Sequence, residues 1–251
     1  MTIWISLGTA AELIKIYPIL HLANTRGIDW RVLSTGQSAV NFWKQWDDFG
    51  LPRERAVTLN ATSHDLESSG QALTWFFKAI FKSRSSIIRA IGEVKHGDTW
   101  VVHGDTLSTL IGSVYARRLG LPLAHVEAGL RSTSLFSPFP EEITRRLVSR
   151  WATWHFAPGD TPTRALEPFR KKGRSVVINT RHNTLLDTLR LQLDREPTRT
   201  SSQGSVVVNI HRFENINNHQ RWQNVVNIIG KVAESRRVQS VSYTHLTLPT
   251  I

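Results

Sequence analysis

Residues 99–126 read TWVVHGDTLSTLIGSVYARRLGLPLAHV, and this stretch decides the fold class. Thr99–His103 is a short apolar run rich in β-branched and aromatic residues, the composition of a buried strand. Ser108–Leu119 follows as a helix, and Gly120-Leu121-Pro122 breaks it. Leu123–Val126 then forms a second apolar strand. A strand, a crossover helix and a second buried strand predict parallel pairing.

The same alternation extends outward. Upstream, Thr2–Leu7 reads as a buried strand, and Ala10–Leu22 carries Leu13, Ile16 and Leu20 at helical spacing. Trp30–Ser34 is a strand ending in the turn Thr35-Gly36, and Gln71–Ile91 reads as one long helical stretch. Downstream come a helix over Glu141–Trp151, strands at Trp154–Ala157 and Ser175–Asn179, and a helix over Asn183–Leu193. The pattern predicts an α/β fold with a parallel sheet covered on both faces. Such sheets bind ligands at the carboxyl ends of their strands.

Asp194–Gly204 (DREPTRTSSQG) is polar and turn-rich and predicts a linker after a first domain of residues 1–194. Ser205–Ile210 and Gln220–Ser235 then read as one strand and one helix of a second domain, residues 205–239. The residues from 240 to 251, SVSYTHLTLPTI, do not continue the pattern and are expected to be a non-native tail.

The chain has 251 residues, 40% of them hydrophobic, enough for a sizeable core. It has no cysteine, which excludes disulfides, thiolate metal sites and cysteine nucleophiles and fits a reducing, cytoplasmic setting. Met1–Leu7 lacks the basic start and small-residue cleavage site of a signal peptide. No apolar run approaches the ~20 residues of a membrane span. The net charge of +11 suits either an anionic partner or a basic solvated surface. The nine tryptophans are expected in core and interface, and Arg170-Lys171-Lys172 with Arg174 in a solvated loop. His21, His64, His96 and His155 show no metal-ligand spacing.

Polar clusters fall at the strand ends. Gly8-Thr9-Ala10-Ala11-Glu12, with Lys15 one turn on, is either a plain strand–helix turn or a place where backbone amides face an anion. In His103-Gly104-Asp105-Thr106, Asp105 can cap the next helix or serve as an acid or base, and its position alone favours the cap. Glu127, in His125-Val126-Glu127-Ala128-Gly129-Leu130-Arg131, ends a strand; its burial needs compensation, for which Arg131 is the nearby candidate. In SPFPEEITRR, Pro140 suits a first helical turn, Glu141 and Glu142 complement the helix dipole, and Glu141 shares a face with Arg145. His211, after the first strand past the linker, is a structural histidine or one facing a cleft between domains.

The order and wording of these clusters resemble the non-hydrolysing UDP-N-acetylglucosamine 2-epimerases. The resemblance runs through GTAAELIK (Gly8–Lys15), Thr35-Gly36-Gln37, Val102–Thr106, HVEAGLR (His125–Arg131), SPFPEEITR (Ser137–Arg145), His155–Pro158, His182-Asn183-Thr184 and Ile210–Asn215. It implies two Rossmann-like doubly wound domains of the GT-B type, the second incomplete here. It implies interconversion of UDP-N-acetylglucosamine and UDP-N-acetylmannosamine by anti elimination and re-addition of UDP, with no cofactor or metal. Asp105, Glu127 and Glu141 are the implied acid/base residues, with His211 beside the diphosphate. Lys15, Gln37, Gln71, Arg145 and Asn183 are the implied substrate contacts. The implied partner is a UDP-sugar, not nucleic acid or a membrane, in a homodimer serving surface-polysaccharide synthesis. Ala10, Ala11, Thr144, Ile210 and Phe213 depart from the family wording, and Ala10 removes an arginine expected to touch phosphate. Most of the nucleotide clamp is expected beyond these residues, so the chain as it stands is expected to be inactive. A UDP-sugar glycosyltransferase of the same fold and a non-catalytic UDP-sugar binder are the alternatives.

Overall fold

The computed structural model describes residues 1–59, 69–132, 141–171, 173, 175–195, 205–209 and 218–241. The chain divides into two compact units, Met1–Glu196 and Pro197–Ile251. In the first, seven runs form one parallel sheet: β1 (Thr2–Leu7), β2 (Asp29–Ser34), β3 (Ala56–Thr58), β4 (Thr99–His103), β5 (Leu123–Val126), β6 (Trp154–Ala157) and β7 (Val176–Asn179). Their spatial order is β3-β2-β1-β4-β5-β6-β7, each neighbouring pair parallel. The order reverses between β1 and β4, which makes the loops after these two strands the topological switch point.

Helices cover the sheet as the apolar runs require: α1 (Ala10–Thr25), α2 (Ala39–Asp48), α3 (Ser69–Ile80), α4 (Arg84–Ile91), α5 (Leu107–Leu119), α6 (Glu141–Trp151), α7 (Asp160–Lys171) and α8 (Leu185–Arg195). On one face, Ile5, Leu13, Ile16, Leu20, Trp30 and Trp46 join α1 and α2 to the strands. On the other, Trp4, Trp75, Ile87, Trp100, Ile111 and Tyr115 join α3, α4 and α5. The tryptophans are therefore mostly core: Trp4 and Trp100 stack with ring centroids 6.0 Å apart, and Trp100 Nε1 donates to Ser6 Oγ at 2.7 Å. α8 packs against α1, where Thr188 Oγ1 donates to Ile14 O. An apolar groove of about 600 Å³ remains on this side, lined by Ile3, Val101, Val126, Phe156 and Ile178 and bordered by Glu127 and Asn183.

Local signals set the boundaries. Gly120 ends α5 in the left-handed conformation (φ 74°), where a side chain would be strained. The stretch read as one helix over 71–91 is two, because the Ser83 hydroxyl caps Ser86 N and starts α4 afresh. Arg170 and Lys171 end α7 and are not in a loop; Arg170 pairs with Glu167 one turn earlier. The apolar runs of the sequence give no sign of α2, β3 or α7, which the structure adds. In the second unit β8 (Ser205–Asn209) and β9 (Arg237–Val241) pair in parallel, with α9 (His219–Ala233) between them. The unit thus has a second strand that its sequence did not announce, and β9 includes Ser240 and Val241.

Three histidines occupy neighbouring central strands: His103 on β4, His125 on β5 and His155 on β6, all buried. Burial pushes His125 down to about 3, with the nearby His155, His103 and Arg131 adding to the shift and the Gly104 carbonyl opposing it. Burial, with Arg131, pushes His155 down to about 4. Both values lie below the ordinary 6.5, so below that pH the unfolded chain binds more protons than the folded one. Stability present above pH 6.5 is therefore lost as the pH falls towards 4. Urea unfolding is expected to lose about 2 kcal/mol per histidine between neutrality and pH ~5, and His155→Gln to reduce that slope. A stability that is flat over this range contradicts the assignment.

Candidate functional site

The β1–α1 loop is built around a capping box. Thr9 caps α1 by accepting from Glu12 N, and Glu12 Oε2 accepts from Thr9 N at 2.9 Å and Gly8 N at 2.8 Å. Of the two readings of this loop, these amides turn to an internal carboxylate. A Cβ on Gly8 would lie 1.9 Å from Ser108 Oγ, so only glycine lets the α5 N-terminus approach this closely. Ser108 Oγ also reaches Thr35 Oγ1 at 2.8 Å and donates to Gln37 Oε1 at 2.7 Å. Gln37 therefore stands beside the switch point. Gln71 is exposed in the first turn of α3, one turn before Trp75, whose Nε1 donates to Thr35 O.

Glu127 follows β5 with φ 62°, in the left-handed region that non-glycine residues enter at a cost of roughly 1–3 kcal/mol. Its carboxylate is mostly buried, with a side-chain exposure of 12%. Lys15 Nζ lies 2.8 Å from Oε2 and 3.1 Å from Oε1, and Asn183 Nδ2 donates to Oε1. His103 Nε2 lies 3.0 Å from Oε2, close enough for an ion pair though not aligned as a regular hydrogen bond. Burial alone would raise the Glu127 pKa, but His103 and Lys15 outweigh it and hold the group at about 2. The expected partner Arg131 is elsewhere: it donates to Leu130 O and Ser149 Oγ.

Asp105 does not cap α5. Thr106 does, accepting from Thr109 N at 3.2 Å, and this frees the Asp105 carboxylate to pair with Arg145 on α6. Arg145 also approaches Glu142 at 3.6 Å. Glu142 is fully buried; it accepts from Ser132 N, Ser132 Oγ and Arg146 Nε. Burial would raise its pKa, but these donors and Arg131 hold it below the usual carboxylate range. It anchors α6 to the segment after β5. Glu141 differs: among the described residues, its buried Oε2 accepts no hydrogen bond.

The structure therefore brings Lys15, Glu127 and Asn183 into one cluster and Asp105 and Arg145 into another. A Cβ on Gly104, the residue before Asp105, would lie 3.8 Å from Glu127 Oε2, so the two clusters adjoin. His211, with residues 210–217 and 133–140, lies outside the described residues. Reasoning from sequence assigned no role to His103 or Glu12, and to Glu142 only that of complementing the helix dipole. The spacing Thr9-x-x-Glu12 was the available signal for Glu12. Among the described residues no group of His, Asp and Glu side chains could hold a metal, and no helix is long and apolar enough to cross a membrane.

A doubly wound sheet with polar loops gathered over its switch point defines a Rossmann-like domain. The chain belongs to the UDP-N-acetylglucosamine 2-epimerase family, whose model matches residues 20–250. It is 30% identical over 245 residues to the UDP-N-acetylglucosamine 2-epimerase of Methanocaldococcus jannaschii, covering 93% of this chain and 63% of that one. It is 30% identical over 254 residues to the enzyme of that name from Bacillus subtilis, covering 95% and 61%. A crystal structure of the M. jannaschii enzyme in complex with UDP-GlcNAc and UDP superposes with a TM-score of 0.73 at 25% identity, covering 98% of this chain and 67% of that one. The chain thus spans less than two thirds of the length of these two sequence relatives.

Removing one partner of a buried ion pair leaves the other charge uncompensated. Lys15→Met is therefore expected to destabilise the protein by about 1–3 kcal/mol, and adding Glu127→Gln to recover part of that loss. Urea unfolding of both single variants and the double variant measures the coupling; strictly additive losses contradict the pairing.

Proposed function

We propose that the protein is a UDP-N-acetylglucosamine 2-epimerase, interconverting UDP-N-acetylglucosamine and UDP-N-acetylmannosamine. A base takes the C2 proton, the C1–O bond to UDP breaks with its electron pair leaving on UDP, and a C1=C2 double bond forms. UDP then adds back at C1 while a proton returns to the opposite face of C2. Family membership over most of the chain supports this reading, as does the crystal structure of a relative in complex with UDP-GlcNAc and UDP.

The observation that carries it is that the three candidate carboxylates, Glu127, Asp105 and Glu141, stand in three different environments. Glu127 is held as a low-pKa anion by His103 and Lys15. Asp105 is clamped by Arg145. Glu141 keeps a buried oxygen without a hydrogen-bond partner among the described residues. A reaction that moves protons on two faces of one carbon needs carboxylates that are not equivalent. On this proposal Glu141 exchanges the proton, while Glu127 orients Lys15 and fixes the local field. Arg145 and Lys15 stabilise the charge that develops on the departing diphosphate. Gln37, Gln71 and Asn183 would contact the substrate, and His211 would face the diphosphate. Ala10, at the start of α1, supplies no cation, which places more of that task on Lys15 and Arg145. A homodimer acting in the cytoplasm is part of the same proposal, which the cysteine-free sequence accommodates.

The test is proton NMR of UDP-N-acetylglucosamine in deuterated water with the protein carried to the length of its relatives. The expected result is deuterium at C2 together with the manno epimer. Glu141→Gln is expected to lower exchange by about a hundredfold or more, the usual scale for losing a general acid or base. Absence of C2 exchange with the unaltered protein would overturn the reading in favour of a transferase or a non-catalytic binder.

A further inference from the structure

We infer that Glu12 is a positioning residue that sets the geometry of Lys15 and Asp105 together; the catalytic half of this inference rests on the proposed epimerase reaction. Glu12 is 3% exposed, and both carboxylate oxygens are engaged. Oε2 accepts from Gly8 N at 2.8 Å, Thr9 N at 2.9 Å and Thr9 Oγ1 at 3.1 Å. Oε1 accepts from Thr106 Oγ1 at 2.7 Å.

A capping box alone explains only the bond to Thr9 N. The additional bonds to Gly8 and Thr106 make Glu12 a bridge. Thr106 is the N-cap of α5, so one carboxylate ties the caps of two helices that leave the sheet on opposite faces. Each tied segment carries a charged group of the site. Lys15 lies one turn beyond Glu12 on α1 and reaches Glu127; Asp105 directly precedes Thr106 and pairs with Arg145. The contact between Gly8 and Ser108 leaves no slack between the two loops. Loss of the bridge would therefore shift Lys15 relative to Glu127 and Asp105 relative to Arg145. A shift of that kind lowers turnover more than substrate affinity, because correct alignment matters most in the transition state.

Glu12→Ala removes the bridge. Glu12→Gln is the conservative variant, since its carbonyl can accept from the two amides while its NH₂ donates to Thr106 Oγ1. Asp98→Ala is the control: Asp98 is a buried carboxylate accepting from Thr2 N and Lys95 N at the opposite end of the sheet. Two readouts apply to the protein carried to the length of its relatives. The first is the rate of Lys15 acetylation by an amine-acylating reagent, followed by mass spectrometry, which needs no turnover. The second is kcat and KM for epimerisation.

Glu12→Ala is expected to raise Lys15 acetylation several-fold against the other lysines and to lower kcat by about tenfold or more, with KM changed by less than a factor of about three. Glu12→Gln is expected to restore most of both, and Asp98→Ala to lower the melting temperature without moving either. Should Glu12→Ala not fold, Thr106→Val, which cuts the tie to Glu12, carries the same expectation. Wild-type acetylation of Lys15 in the bridge-cutting variant overturns the inference and leaves Glu12 a helix cap. Failure of the epimerase reading would show as an inactive wild type, and the acetylation rates would still decide the role of Glu12.

Discussion

A carboxylate buried at the end of a central strand has to be compensated, and the way Glu127 is compensated organises the loops around it. The residue sits in a left-handed turn directly after β5. There it meets Lys15 from α1, His103 from the end of β4 and Asn183 from the segment before α8. Three parts of the chain distant in sequence are fixed relative to one another by one negative charge. The left-handed backbone is an expense that this constellation offsets, and such strain is characteristic of functional positions.

Around this hub the switch point is built tightly. Gly8 admits Ser108, Ser108 holds Gln37 and Thr35, and Glu12 joins Thr9 to Thr106. Glu142 does the corresponding task on α6, binding Ser132 and Arg146 while its neighbour Glu141 keeps a buried oxygen unpartnered among the described residues. Two adjacent glutamates thus differ: Glu142 is fully engaged by hydrogen bonds, and Glu141 keeps one buried oxygen without a partner among the described residues. The same separation holds between Thr106 and Asp105, where the threonine caps the helix and leaves the carboxylate to Arg145.

The parallel core was legible because its strands are short continuous apolar runs, such as Thr99–His103 and Leu123–Val126, bounded by glycine and proline. β3 was not, since Ala56–Thr58 has only three residues, too few to show a period. α7 carries Pro162 and Pro168, which interrupt its helical pattern in the sequence; Pro162 sits in the first turn, where proline is tolerated. The candidate residues stood out as motifs, but their partners did not. Glu127 pairs with a lysine 112 residues away and Asp105 with an arginine 40 residues away, whereas local reasoning offered Arg131 and a helix cap. Pairings of this length are set by strand order, which no local spacing encodes.

The ionisation of Glu127 is the most direct measure of this account. Carbon-13 NMR of its side-chain carboxyl, assigned through Glu127→Gln, follows the group from neutral pH downward. The environment described by His103, Lys15 and Asn183 predicts that the signal stays in its ionised form through pH 4 and titrates towards about 2. A midpoint at or above the ordinary 4.5 would show that burial prevails over Lys15 and His103, and that Glu127 is not the charge on which the site is organised.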